Sequence, residues 1–141
     1  MNYTLEIKKF VAIAGNIGAG KSTLVARLSE KLGWMPFYEA ILQYLPPPDL
    51  VIYLCASVEA LLSRISLRGR EYERGISREY LTRLNLLYEK WIAGFTLCSV
   101  LTIPTDDLNF VENAAHLDLI VEKVQDKLIG KEEVVFQQEG G

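Results

Sequence analysis

Residues 10–32 read FVAIAGNIGAGKSTLVARLSEKL, and this stretch decides the fold. Positions 10–14 are an unbroken apolar run with a glycine behind it, the pattern of a strand buried in a parallel sheet. Positions 20–32 place Leu24, Leu28 and Leu32 at four-residue steps, the apolar stripe of an amphipathic helix, and Gly33 supplies its stop. Between them, GNIGAGKS at 15–22 fits G-x-x-x-x-G-K-[ST]. The pattern alone is short, but a strand before it and a helix after it are the context that makes it a phosphate loop. Gly15, Asn16, Ile17, Gly18, Ala19 and Gly20 supply a backbone that curls so that N–H groups point inward, and Lys21, Ser22 and Thr23 open the helix. Those donors and the helix N-terminus turn partial positive charge toward a phosphate. Lys21 would add a full charge at the β- and γ-phosphates of a nucleotide such as ATP, and the Ser22 hydroxyl would ligate Mg²⁺.

Outward from this unit, strands and helices alternate. Residues 35–38 suggest a second short strand ending at Glu39, and 41–45 the tail of a helix halted by Pro46, Pro47 and Pro48. Asp49 is placed to cap the turn before a buried strand at 50–54, LVIYL. Ser57 offers an N-cap for a helix whose inner face is Val58, Leu61, Leu62 and Ile65. Ser77 does the same for a long helix to Ala93, with Leu81, Leu84, Tyr88 and Trp91 inward and Gly94 at its end. A third strand follows at 100–103, then a turn-rich piece at 104–109 and a last helix over 111–129 that Gly130 should stop. These elements predict an α/β, three-layer P-loop NTPase-type fold with a parallel sheet flanked by helices. One domain would occupy 1–130, with 131–141 as a tail.

Composition agrees with one globular domain. The chain has 141 residues, half of them hydrophobic and 23% charged, with a net charge of −3. That balance argues against a broadly basic surface that would coat nucleic acid, though not against a local anion site, and no apolar run has a membrane helix's length. Residues 1–9 do not read as a secretory signal. Cys55 and Cys98 sit in apolar runs and read as buried thiols, so a cytoplasmic protein is expected. One histidine and no Cys/His cluster argue against a structural zinc site, and His116 is assigned no role. Trp34 and Trp91 read as packing residues.

Arg64 and Arg68 lie one turn apart on the helix that starts at Ser57, and Arg70 and Arg74 follow with Glu71 and Glu73 between Gly69 and Gly75. Alone, such a run is a solvated turn. Beside a phosphate loop it reads as an arginine-rich lid, because guanidinium groups closing over transferring phosphates are worth about 10³–10⁵ in rate.

The chain resembles the deoxynucleoside kinases, the P-loop kinases that include those acting on deoxycytidine, deoxyguanosine and deoxyadenosine. The residues that carry the resemblance are GNIGAGKST at 15–23, Tyr38-Glu39-Ala40, LPPPDLVIYL at 45–54 and RISLRGREYERGISREYL at 64–81. The resemblance implies transfer of the ATP γ-phosphate to the 5′-hydroxyl of a deoxynucleoside in a Mg²⁺-dependent homodimer. It makes Glu39 the base, and Arg64, Arg68 and Arg70 the lid arginines, with Arg68 against the adenine. It makes Glu73 the acceptor for the sugar 3′-hydroxyl, and Asp107 and Phe110, more loosely, adenine contacts. The Tyr38-Glu39-Ala40 form of the motif points to a purine deoxynucleoside.

One departure is large. The family continues after this motif through several helices and a further strand that read the base, whereas here Ala40 runs directly into Ile41. The expectation is that an internal segment is missing between 40 and 41. A thymidylate-type monophosphate kinase and a non-catalytic nucleotide-binding module are the competing readings.

Overall fold

The computed structural model describes residues 10–36, 48–68, 76–107 and 113–140, with side chains of the last helix described to residue 128. Among these residues three strands, β1 (Val11–Gly15), β2 (Leu50–Cys55) and β3 (Ser99–Pro104), form a parallel sheet in the order β1-β2-β3. Among the described residues four helices accompany them: α1 (Lys21–Leu32), α2 (Val58–Arg68), α3 (Arg78–Ala93) and α4 (Ala114–Gly140).

The two apolar runs pair as parallel strands need. Val11 lies opposite Leu50 and Gly15 opposite Leu54. Asp49 pins the start of that ladder: its carboxylate accepts from the Phe10 N–H at 2.8 Å, and its own N–H donates to the Phe10 carbonyl at 2.7 Å. β2 is central and buried along Leu50–Leu54. Its alternate residues Leu50, Ile52 and Leu54 join a core with Leu24 and Leu28 of α1 and with Leu117, Ile120, Val124 and Leu128 of α4. The intervening Tyr53 meets α3 on the other face, stacking on Tyr88 with ring centroids 6.0 Å apart and donating its hydroxyl to Glu89 at 3.0 Å. Helices therefore cover both faces, as expected.

The helix boundaries follow local chemistry. Ser77 accepts from the Tyr80 N–H at 3.1 Å and Ser57 from the Ala60 N–H at 3.1 Å, as their N-cap positions predict. Gly33 ends α1 in the left-handed conformation (φ 69°), where a side chain is strained, and donates to the Ser29 carbonyl. Trp34 packs against the core.

Four expectations need correction. Met35 and Pro36 are not strand and are exposed, since a proline cannot donate to a ladder; the rest of that proposed strand lies outside the described residues. Trp91 is not inward but 43% exposed. Ten residues beyond the buried Leu81, it lies about 80° around a helix of 3.6 residues per turn, at the edge of the apolar stripe. Gly130 does not stop α4, which continues to Gly140; a mid-helix glycine costs only about 1 kcal/mol against alanine. Cys55 and Cys98 are half-buried rather than buried. The helix tail at 41–45 lies outside the described residues.

Candidate phosphate-binding site

Parallel pairing brings the ends of the strands into line. Gly15, Leu54 and Ile103 are register partners across the sheet, so the segments following β1, β2 and β3 leave side by side. The carboxyl edge of an open α/β sheet is where such folds bind ligands.

The phosphate loop fills the first of these positions. A Cβ on Gly15 would lie 2.7 Å from the Leu54 carbonyl oxygen, so only glycine permits this approach of β1 to β2. Gly18 has φ 85° and rests on α2, where a Cβ would meet Ile65 at 3.2 Å and the Leu61 carbonyl at 3.4 Å. Gly20, with φ 101°, is the N-cap of α1 and makes no side-chain cap, which leaves the helix N-terminus presented by backbone alone. The Ala19 N–H closes the turn onto the Asn16 carbonyl at 3.1 Å. Lys21 folds back over the loop, its ammonium donating to the Gly15 carbonyl at 2.5 Å and the Asn16 carbonyl at 3.1 Å. Ser22 is exposed in the first turn of α1, and Thr23 is half-buried beside it.

The Asn16 side chain is 3% exposed and fully engaged. Its amide nitrogen donates to the Leu81 carbonyl at 3.0 Å and to Asn85 Oδ1 at 2.8 Å; its Oδ1 accepts from the Ile17 N–H at 2.7 Å. Asn85 in turn donates to the Ala56 carbonyl, just beyond β2, at 3.0 Å.

Arg64 lies on α2, and its guanidinium turns to the end of β3. It donates to the Thr105 hydroxyl at 2.9 Å and to the Thr105 carbonyl. Thr105, 1% exposed, is itself tied to the Cys55 carbonyl through its N–H (2.8 Å) and hydroxyl (3.1 Å). Asp106 Oδ1 accepts from the Ser57 N–H at 2.8 Å. Those Ser57 bonds hold the Asp106 carboxyl below its ordinary range, with the Arg64 charge adding a smaller pull. Asp107 is exposed beside it.

The structure thus gathers Gly15 to Thr23, Arg64 and Asp107 along one sheet edge. Arg68 ends α2, but its side chain lies outside the described residues, as do Glu39, Arg70, Glu73 and Phe110. Asn85 and Thr105 were not singled out from the sequence: their partners are 69 and 41 residues away, and no local pattern signals such pairs.

As to ligands, the loop suits a polyphosphate: backbone donors, two glycines at positive φ and a lysine over them. Among the described residues no group of three His, Cys, Asp or Glu side chains could hold a metal. Ser22, exposed at the start of α1, fits the way Mg²⁺ is bound beside phosphates, with few protein ligands and several waters.

A glycine loop between the first strand of a parallel sheet and the helix behind it defines a P-loop phosphate-binding fold. The chain belongs to the deoxynucleoside kinase family, whose model matches residues 35–130. It is 38% identical over 81 residues to the deoxyadenosine/deoxycytidine kinase of Bacillus subtilis (strain 168), covering 57% of this chain and 37% of that one. The deoxyguanosine kinase of the same organism is 31% identical over 118 residues, covering 81% and 56%. The chain therefore spans little more than half the length of these curated relatives, or less. Among solved structures, deoxyadenosine kinase from M. mycoides with bound dATP superposes with a TM-score of 0.68 at 22% identity, covering 82% of this chain and 98% of that one. That likeness shows the fold.

Proposed function

We propose that the chain is a deoxynucleoside kinase, moving the γ-phosphate of ATP to the 5′-hydroxyl of a deoxynucleoside, in nucleotide salvage. The observation that carries this reading is the phosphate loop, with Lys21 held above it, in a chain of this family. Lys21 would exchange its two carbonyl partners for phosphate oxygens. The Ser22 hydroxyl would hold Mg²⁺, which when bound neutralises charge on the phosphates. Glu39 would take the 5′-hydroxyl proton, and Arg64, Arg68 and Arg70 would stabilise the charge that spreads over the transferring group. Arg64 needs to leave Thr105 for that, or to act through it. Glu73 would accept from the sugar 3′-hydroxyl, and Asp107 and Phe110 would face the adenine.

A purine deoxynucleoside is the preferred acceptor in this reading. It rests on the Tyr38-Glu39-Ala40 motif, and the named relatives act on deoxyadenosine, deoxycytidine or deoxyguanosine. A homodimer would draw on the outer face of α3, where Leu86, Leu87 and Trp91 are 63%, 56% and 43% exposed. No helix among the described residues is long and apolar enough to cross a membrane; the cytoplasmic part of the reading rests on the two thiols.

An internal segment missing between 40 and 41 belongs to the same proposal. Among the described residues β1 has no partner on its outer edge, and its residues are only partly buried up to Gly15. The structural match also reaches across 98% of the M. mycoides chain, while the chain spans 56% or less of the two bacterial relatives, the pattern an internal gap leaves.

The test is an acceptor panel of deoxyadenosine, deoxyguanosine, deoxycytidine, thymidine and dTMP with labelled ATP. Transfer to a deoxynucleoside, lowered about 10²–10⁴-fold in kcat by Glu39→Gln, supports the reading. Transfer to dTMP alone would replace it with a monophosphate kinase. ATP binding with no transfer, and no change on Glu39→Gln, would make the chain a nucleotide-binding module, an outcome its short span of the relatives also fits.

A further inference from the structure

We propose that Asn85 is a positioning residue for the phosphate loop, coupling it through Asn16 to the end of β2. The proposal rests on the phosphate-binding reading above.

Asparagine is a poor choice for the interior of a helix, because its amide competes for backbone partners. Asn85 sits in the middle of α3 and uses its amide on two other elements instead. The bonds run head to tail. The Ala56 carbonyl accepts from Asn85 Nδ2, Asn85 Oδ1 accepts from Asn16 Nδ2, and Asn16 Oδ1 accepts from the Ile17 N–H. The backbone sets the polarity at both ends, an acceptor at Ala56 and a donor at Ile17. Flipping either amide would set donor against donor or acceptor against acceptor. Two amides in series are thus oriented uniquely, and they fix the peptide with which the phosphate loop begins to curl. The remaining N–H of Asn16 goes to the Leu81 carbonyl on the same helix. The loop is therefore held from α3 at two points one helical turn apart.

Low local dielectric strengthens such a buried chain, and its members act as a unit. Removing Asn85 leaves Asn16 one anchor on α3 and cuts the link to β2. The loop would keep its fold but lose its set geometry, which a preorganised phosphate site requires.

The experiment uses the full chain and two readouts. The first is hydrogen–deuterium exchange of the amides at 16–20 without nucleotide; the second is affinity for a fluorescent ATP analogue. Asn85→Leu, of similar size, should speed exchange in this loop and weaken binding about tenfold, the effect of one ordinary hydrogen bond. Asn85→Asp keeps the acceptor for Asn16 but sets a second carboxylate oxygen against the Ala56 carbonyl, so it too should speed exchange in this loop and weaken binding. Combining Asn16→Ala with Asn85→Leu should weaken binding less than the two single effects together. A purely structural role would lower the melting temperature and leave loop exchange and affinity of the folded protein untouched. That result, or additivity, overturns the proposal. If Asn85→Leu does not fold, Asn85→Asp decides: wild-type exchange and affinity would overturn it. Wild-type protein that binds no nucleotide would sink the phosphate-binding reading, while the exchange data would still judge Asn85.

Discussion

Gly15 lies beneath the Leu54 carbonyl, and a methyl group there would sit 2.7 Å from that oxygen. Gly15→Ala should therefore push β1 off β2 and cost about 1–3 kcal/mol, as overpacking does; urea titration measures it, and an unchanged midpoint would show that the strand pair yields. Two titrating groups extend the reasoning to pH. Asp106 is held below its ordinary range by Ser57, so its contribution is full above about pH 4 and is lost as pH falls through its lowered value. Asp106→Asn should flatten that acid limb. Tyr53 is shifted the other way: burial first, then Glu89, raises its hydroxyl well above the usual tyrosine range. Its contribution is present below about pH 10 and is lost as pH rises through the raised value. Tyr53→Phe should remove the alkaline part of the stability profile, read from thermal melts between pH 8 and pH 11 or so. A profile unchanged by the substitution would contradict the Tyr53–Glu89 assignment.

At the scale of elements, α2 is the floor of the site. Leu61, 0% exposed, anchors it to the core, and its carbonyl lies under Gly18. Leu61→Ala should cost about 2–5 kcal/mol and loosen the loop above it, so chemical denaturation and nucleotide affinity should fall together. A loss of stability with affinity intact would show that the loop does not depend on this floor. Capping is the other element-level term. Ser77→Ala should cost about 1 kcal/mol, because it frees the Tyr80 N–H at the start of α3. Glu59 also meets Arg78 there, joining the first turns of α2 and α3, and this pairing lowers the carboxyl and raises the guanidinium. Capping residues and apolar stripes repeat over a few positions, which is why α1, α2 and α3 could be read from the sequence. Trp91 and Gly130 were misread because periodicity does not say how wide a stripe its partner covers, nor whether packing carries a helix past a glycine.

For the whole molecule, the measurement to make first is the intact mass of the purified chain. The sequence weighs 15.9 kDa. A larger mass would place the further helices and strand in the polymer, and the acceptor panel would follow. A mass of 15.9 kDa would leave the outer edge of β1 and the acceptor pocket to be explained in a short chain. What the sequence determined by itself is the phosphate loop and the alternation of strand and helix, because both are local: the strand, the glycines, Lys21 and the helix follow within 23 residues, at 10–32. Tertiary structure alone decided that Arg64 turns to Thr105 and that Asn85 reaches Asn16. Those pairs come together only when parallel strands align their carboxyl ends and the helices pack across them, and the register that does this is a property of the assembled sheet.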